Sequence, residues 1–404
     1  MEVRGYRAGD EASLARLAAG AFGVNGGYWE AYYKPRKNGR LDLDLVRLIE
    51  EEGEARASAT VLPLEAFVDG RPVPMGGIAA VATDPAYRRR GFAGDLMRAV
   101  LLTMRERGMH LSMLNPFAHA FYRAYGWELA TEAVAYTLKP TDLPTSSEQK
   151  RVRAYREEDL PRMRKLLEDE AARRSCCVRR SEGRWRDVLA RKDCGAAVYE
   201  AEGRMDGYIL YRMSEWRDRE PHRTLSVQEL VWGSVGARRA LISFLGAQDP
   251  LVFEIRHSTP RDEPLHPYLR NSFVKAKIEP GFMIRLVDVE GALGYLSRTP
   301  EAPLVLEVSD DVVEDNAGPY TVGAGEVVRG EEAAERVSLD VRQLAQLYAG
   351  YLPAGQLARH GMVEPGSPEA LGRLEALFPV DDPWVYPRIT SKAVGSFAQK
   401  PSLW

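Results

Sequence analysis

The sequence predicts an α+β architecture, mixed sheets flanked by helices, in three consecutive domains. Three observations carry this. The chain has 404 residues, more than one ordinary domain of roughly 100–200 residues. The segment Val3-Arg4-Gly5-Tyr6-Arg7 with Asp10 returns about 149 residues later as Val152-Arg153-Ala154-Tyr155-Arg156 with Asp159. Each copy then runs through strand patterns of period two and helical patterns of period 3.6. The repeat predicts two copies of one fold, at 1–145 and 146–282, and a third domain at 283–404. Residues 140–150, with Thr, Pro and Ser, read as the linker between the copies.

Taken in order, Leu14, Leu17, Ala18 and Phe22 mark a first helix behind an acidic start. Strands follow at 56–62, 64–68 and 74–83, with the turn Asp69-Gly70 between the last two. Phe92, Leu96, Val100 and Met104 recur every four residues, which predicts a helix over 91–107. A strand at 110–114, a helix at 118–125 and a last strand at 133–138 are expected to close the first unit. The second copy repeats the hairpin at 196–201 and 205–213 around Glu202-Gly203-Arg204. A strand at 225–232 and a helix at 237–245 follow. Phe282, Ile284 and Leu286 alternate, a helix covers 289–296, and a strand covers 304–308. Helices at 340–348 and 368–377 end the third region.

Composition excludes several classes. The net charge is −3 at pH 7, which gives no basic field for nucleic acid. No apolar run nears the roughly 20 residues of a membrane span, and the first residues carry no apolar signal core. Cys176, Cys177 and Cys194 match no zinc spacing. The six histidines form no metal-ligand pair, and His119 reads as a surface residue. The expectation is a soluble, cytoplasmic protein without metal.

The most informative segment is Val81-Ala82-Thr83-Asp84-Pro85-Ala86-Tyr87-Arg88-Arg89-Arg90-Gly91-Phe92-Ala93-Gly94. A strand ends, a proline turns the chain, three arginines follow, and small residues open a helix. Free N–H groups at a helix start, with the helix dipole behind them, attract an anion. Arginines add charge-assisted contacts to phosphate oxygens. The glycine spacing is neither that of a dinucleotide fingerprint nor that of a P-loop, which disfavours a dehydrogenase or a nucleotide kinase.

With Asn115-x-x-Ala118-x-x-Phe121-Tyr122-x-x-Tyr125-Gly126-Trp127, this loop resembles the GNAT acetyltransferase superfamily. Arg88-x-x-Gly91-x-Ala93 is similar to its acyl-CoA pyrophosphate loop. The whole layout resembles the Eis (enhanced intracellular survival) family, with a third domain similar to a sterol carrier protein. The second copy lacks the Arg-x-x-Gly-x-Ala pattern and reads as non-catalytic.

The resemblance implies an N-acetyltransferase that moves an acetyl group from acetyl-CoA directly to a primary amine in a ternary complex. The amine is a small molecule, an aminoglycoside or a lysine. Val81, Ala82 and Thr83 would face the pantetheine arm. Arg88, Arg89, Arg90, Gly91, Phe92, Ala93 and Gly94 would hold the pyrophosphate. Asn115, Phe117 and Ala118 would complete the cofactor side. Tyr122 matches the family's general acid, which protonates the leaving thiolate, and a phenol of ordinary pKa ~10 suits that task. In the family the base is the chain's own terminal carboxylate. This sequence continues past the usual ending near Ile389 to Trp404, so either the Trp404 carboxylate takes that role or the tail displaces the family arrangement and water relays the proton. Phe22, Trp29 and Tyr32 form a weaker acceptor wall, since aromatic rings suit a cationic amine. The resemblance also implies a homo-oligomer, with a hexamer as one size. The rival reading is a non-catalytic CoA- or lipid-binding carrier built on the third domain.

Overall fold

The computed structural model describes residues 2–23, 26–34, 41–191, 193–214, 223–248, 250–323, 325–330 and 333–386. They fall into two compact units. One joins residues up to Thr131 with Gly281–Pro383, and the other joins Glu132–Pro280 with 384–386.

The first unit holds two sheets. Its seven-stranded sheet runs in the order Arg4–Gly5, Val46–Glu51, Glu54–Val68, Arg71–Thr83, Leu111–Leu114, Met283–Leu286, Glu128–Leu129. The helix Phe92–Glu106 lays Leu96, Val100 and Met104 on Ala57, Ala59 and Val61 of one sheet face. Glu11–Phe22 and Gly26–Tyr33 cover the other face, packing Leu14, Ala18 and Trp29 on Val46, Leu48 and Ala82. A five-stranded sheet, Glu326–Arg329, Gly318–Gly323, Leu304–Ser309, Arg336–Asp340, Val363–Pro365, forms the C-terminal region with helices Val341–Tyr348 and Pro368–Leu377.

The second unit has its own seven-stranded sheet. Its order is Lys275–Pro280, Glu132–Leu138, Val252–Thr259, Arg223–Trp232, Arg204–Met213, Cys194–Ala201, Val152–Ala154. The repeat read in the sequence reappears as a repeated ion-pair knot. Arg4 grips Asp10 through both terminal nitrogens at 2.7 and 2.8 Å, and Arg153 grips Asp159 at 2.8 and 2.7 Å. Each arginine also reaches a neighbouring-strand carboxylate, Glu50 in one case and Glu200 in the other. The guanidinium holds each aspartate below the usual carboxylate range.

Two expectations need correction. The strand Glu132–Leu138 does not close the first sheet. It lies in the second, between Val252–Thr259 and Lys275–Pro280. The first sheet is completed instead by Met283–Leu286, which enters antiparallel to Leu111–Leu114 and to Glu128–Leu129. The chain leaves the first sheet at Thr131 and re-enters at Gly281, and Gly281 N–H donates to the Thr131 carbonyl at 2.8 Å. The alternation at 282–286 also misleads. All four residues of Met283–Leu286 are buried, because a central strand is covered on both faces.

In the second sheet His257 is 8% exposed, and burial pulls its pKa down to about 4 from 6.5, with the Arg238 charge adding to the effect. The unfolded chain therefore binds a proton between pH 6.5 and 4 that the folded chain refuses. Stability is lost as pH falls through that window, by up to about 3 kcal/mol. His257→Gln should flatten this slope, and urea midpoints at pH 7 and pH 4.5 measure it. An equal acid slope in the variant would remove His257 as its source.

Candidate active site

The site starts from a failure of strand pairing. Arg71–Thr83 and Leu111–Leu114 run parallel and pair through Met75, Gly76 and Gly77 with Leu111, Ser112 and Met113. Beyond that point the two strands no longer pair, leaving a wedge. On its other edge Arg71–Thr83 carries a bulge. Register with Glu54–Val68 shifts between Ser58 and Thr60, opposite Ala82 and Ala79, and Ala80 sits at φ 50°. A bulge re-aims the groups around it, so the backbone at Ala80–Val81 leaves the regular ladder beside the opening. The floor of the wedge is pinned. Trp127 Nε1 donates to Ser112 Oγ at 3.2 Å, and Ser112 Oγ donates to the Gly76 carbonyl at 3.0 Å.

The arginine loop follows directly. Asp84 accepts from Ala86 N–H at 3.0 Å and closes a turn at Pro85–Tyr87. Tyr87 then lies between two guanidiniums, with Arg56 at 4.7 Å and Arg90 at 4.6 Å from its ring centre. Arg88 and Arg89 are exposed and have no ion-pair partner among the described residues. Gly91 caps the helix Phe92–Glu106 at φ 86° without any side-chain cap. The N–H groups of Gly91, Phe92 and Ala93 find no acceptor among the described residues. A left-handed residue followed by helical ones turns successive N–H groups toward one point, which makes an anion nest.

The glycines divide by role. A side chain at Gly91 meets nothing within 4 Å, so its glycine answers to backbone sign, with open space in front. Gly94 was expected to admit a ligand. It is buried instead, because a Cβ there would overlap the Tyr125 hydroxyl. That contact seats the second motif on the first turn of the helix. Phe92 likewise sends its ring into the core, 6.2 Å from Tyr87, so only its backbone faces outward.

After Leu111–Leu114 the exposed Asn115 leads into Phe117, Ala118 and the short helix His119–Arg123. Phe117, 58% exposed, packs edge-on against Tyr122 at 5.2 Å. Phe121 and Trp127 flank the same ring at 5.0 and 6.4 Å. Tyr122 is 3% exposed, and burial raises its pKa well above 10. Its hydroxyl has no hydrogen-bond partner among the described residues. His119 is half-buried rather than on the surface, and its Nε2 is covered without a partner.

The structure thus brings Val81, Ala82, Thr83, the loop 88–94, Asn115, Phe117, Ala118 and Tyr122 to one end of one sheet. The acceptor wall fares differently. Trp29 is fully buried, stacked 5.1 Å from Phe22 and edge-on to Tyr32 at 5.4 Å, so its ring is core. Phe22 and Tyr32 are only half-buried. Trp404 and Ile389 lie outside the described residues. Sequence reasoning missed the bulge at Ala80 and the serine that pins the floor. The small-residue run Gly76-Gly77-Ile78-Ala79-Ala80 was the available signal for both.

The comparisons with known proteins agree with this geometry. Residues 2–130 match the model of an acetyltransferase (GNAT) domain, and residues 176–286 match another GNAT domain model. The chain is a GNAT acetyltransferase. Residues 289–386 of the acetyltransferase match a sterol carrier protein domain. An uncharacterized N-acetyltransferase of Streptomyces griseus is 26% identical over 341 residues, covering 77% of this chain and 80% of that one. Among solved structures, Eis1 from Mycobacterium abscessus has a TM-score of 0.77 at 26% identity, covering 95% of this chain and 98% of that one. A GCN5-related N-acetyltransferase from Anabaena variabilis has a TM-score of 0.83 at 23% identity, with the same coverage, and shares the fold. Acetyl-CoA is the cosubstrate of the acetyltransferase. Among the described residues no helix is long and apolar enough to cross a membrane, and no acidic, Cys or His group is arranged for a metal.

Proposed function

We propose that the first domain transfers the acetyl group of acetyl-CoA to a primary amine by direct attack, in an Eis-like homo-oligomer of the cytoplasm. The observation that carries this reading is one juxtaposition. A nest of unused N–H groups with two unpaired arginines stands beside a strand wedge, and a buried tyrosine with a free hydroxyl lies in the same end of the sheet. Arg88, Arg89 and the N–H groups of Gly91–Ala93 hold the pyrophosphate. Asn115, Phe117 and Ala118 flank the pantetheine arm, and the bulged backbone at Val81–Thr83 orients the thioester. The neutral amine nitrogen attacks the thioester carbonyl, the C–S bond breaks, Tyr122 gives its proton to the leaving sulfur, and the proton shed by the attacking nitrogen passes to water, which returns one to the Tyr122 phenolate. Burial keeps that phenol protonated at neutral pH, the state a general acid needs. Phe22 and Tyr32 are the residues offered to the acceptor.

A mass-shift screen of amines with acetyl-CoA tests the reaction, and no acetylated product from any amine class would end it. The cofactor side is tested by Gly91→Val. A β-branched residue at φ 86° costs about 1–3 kcal/mol or opens the nest. Affinity for acetyl-CoA should fall roughly ten-fold or more, with the fold retained because no atom lies within 4 Å of the new Cβ. Calorimetry giving unchanged affinity would refute the loop assignment.

A further inference from the structure

The second domain keeps the wedge of the first. Arg223–Trp232 and Val252–Thr259 pair in parallel only from Arg223–Ser226 to Val252–Arg256. Gln228 is bulged out of register between Val227 and Glu229. Yet this wedge has lost its phosphate end. The helix Val235–Gly246 is capped by its own Ser234, whose Oγ accepts from Ala237 N–H at 3.3 Å, where the first domain has an uncapped glycine.

The wedge is filled from within the chain. Trp384 and Tyr386 line it together with Gln228, Trp232, His257, Ser258 and Thr259. Trp384 and Val385 are 3% and 4% exposed. The backbone of this stretch is clipped by the segment Ser175–Cys177. Trp384 N–H donates to the Ser175 carbonyl at 3.2 Å, and the Cys177 thiol donates to the Trp384 carbonyl at 2.8 Å. What remains open is a cavity of about 30 Å³, room for one or two waters. His257 Nδ1, Ser258 Oγ and Thr259 Oγ1 are buried in this region without a protein partner, and water is the group that can satisfy them.

We propose that the wedge of the second domain is a docking socket for an extended aromatic-x-aromatic segment, occupied in cis by Trp384-Val385-Tyr386, and that anchoring this segment is that domain's task. The segment Ser175–Cys177 holds the backbone of the inserted chain, and the pocket between the parted strands that receives its rings gives selectivity. The two rings pack edge-on against each other at 5.7 Å and enter the space as one unit. The acids around the socket are matched, Glu229 by Arg180 and Glu263 by Arg174, and the Arg238 guanidinium lies over the rings of Trp232 and Tyr268. The socket therefore selects aromatic shape over charge.

Cys177 reports on the socket, because docking covers it to 1% exposure and burial pushes its thiol pKa up. In the full chain Trp384→Ala/Tyr386→Ala, a thiol reagent should label Cys177 at least ~10-fold faster than in the unmodified chain, as read by peptide mass. An excess of the capped peptide Asp-Asp-Pro-Trp-Val-Tyr, matching residues 381–386, should slow labelling again. The same peptide with both aromatics replaced by alanine should not. Should the double variant fail to fold, Trp384→Leu carries the same test with an intermediate rate. Wild-type labelling in a folded variant, or equal protection by the two peptides, overturns the proposal.

Discussion

Replacing Tyr122 by phenylalanine should lower kcat by about 10²–10⁴, the usual worth of a positioned general acid. KM for acetyl-CoA should stay within about two-fold, because the variant removes one oxygen and keeps the ring between Phe117, Phe121 and Trp127. The leaving thiolate then departs without a donor, so the loss belongs to the transition state rather than to binding. Burial raises the Tyr122 pKa above its ordinary 10, so the wild-type rate should not fall through tyrosine ionisation as pH approaches 10. Steady-state kinetics with a good acceptor amine checks both statements. Full activity in Tyr122→Phe would mean that the proton comes from elsewhere.

The largest effect on stability is expected at Asp310. Arg285, fully buried in Met283–Leu286, donates from Nη2 to Asp310 Oδ2 at 2.6 Å. The same carboxylate accepts from Asn316 Nδ2 at 3.0 Å and from the N–H groups of Val312 and Val313 at 3.0 and 3.1 Å. The other guanidinium nitrogens, Nε and Nη1, already lack partners, and the group sits 5.8 Å from the Trp127 ring centre. Asp310→Ala leaves that charge buried and unpaired, a change that costs about 3–5 kcal/mol. Arg285→Leu/Asp310→Leu should recover part of the loss, since no charge is left behind while Asn316 Nδ2 and the Val312 and Val313 N–H groups still lose their acceptor. Denaturant midpoints measure both variants, and an unshifted midpoint in Asp310→Ala would contradict the argument. Gly126 belongs to the same knot. It sits at φ 84°, and any Cβ there would overlap Arg285, which explains the glycine before Trp127.

What the sequence revealed and what it hid follow from the range of each interaction. The arginine loop was legible because its geometry is local: a proline turn, a left-handed glycine and a helix start within eleven residues, Asp84–Gly94. The twin domains were legible because Arg4 with Asp10 and Arg153 with Asp159 close their ion pairs over six residues. The strand exchange was hidden. Alternation shows that 133–138 is a strand but carries nothing about which sheet receives it. Arg285 was hidden for a related reason. A charged residue among Met283, Ile284 and Leu286 reads as a solvent-facing position, and only its partner 25 residues on shows otherwise. Trp29 was misplaced because aromatic residues between two helices suit a wall and a core equally.

The route of the chain through its sheets has a consequence for how the protein is made. The strands that carry the arginine loop and Tyr122 leave the ribosome early, but their sheet lacks Met283–Leu286 until about 170 further residues have been added. At translation rates of roughly 5–20 residues per second, the edge of Leu111–Leu114 waits on the order of 10–30 s for its neighbour. Asp310, which neutralises Arg285 once that strand is in place, comes later still. The GNAT region at 2–130 precedes the one at 176–286 in the chain yet finishes only after it. Any engineered fragment that stops between the two GNAT regions inherits an unpaired central edge, the condition that draws chains into aggregates.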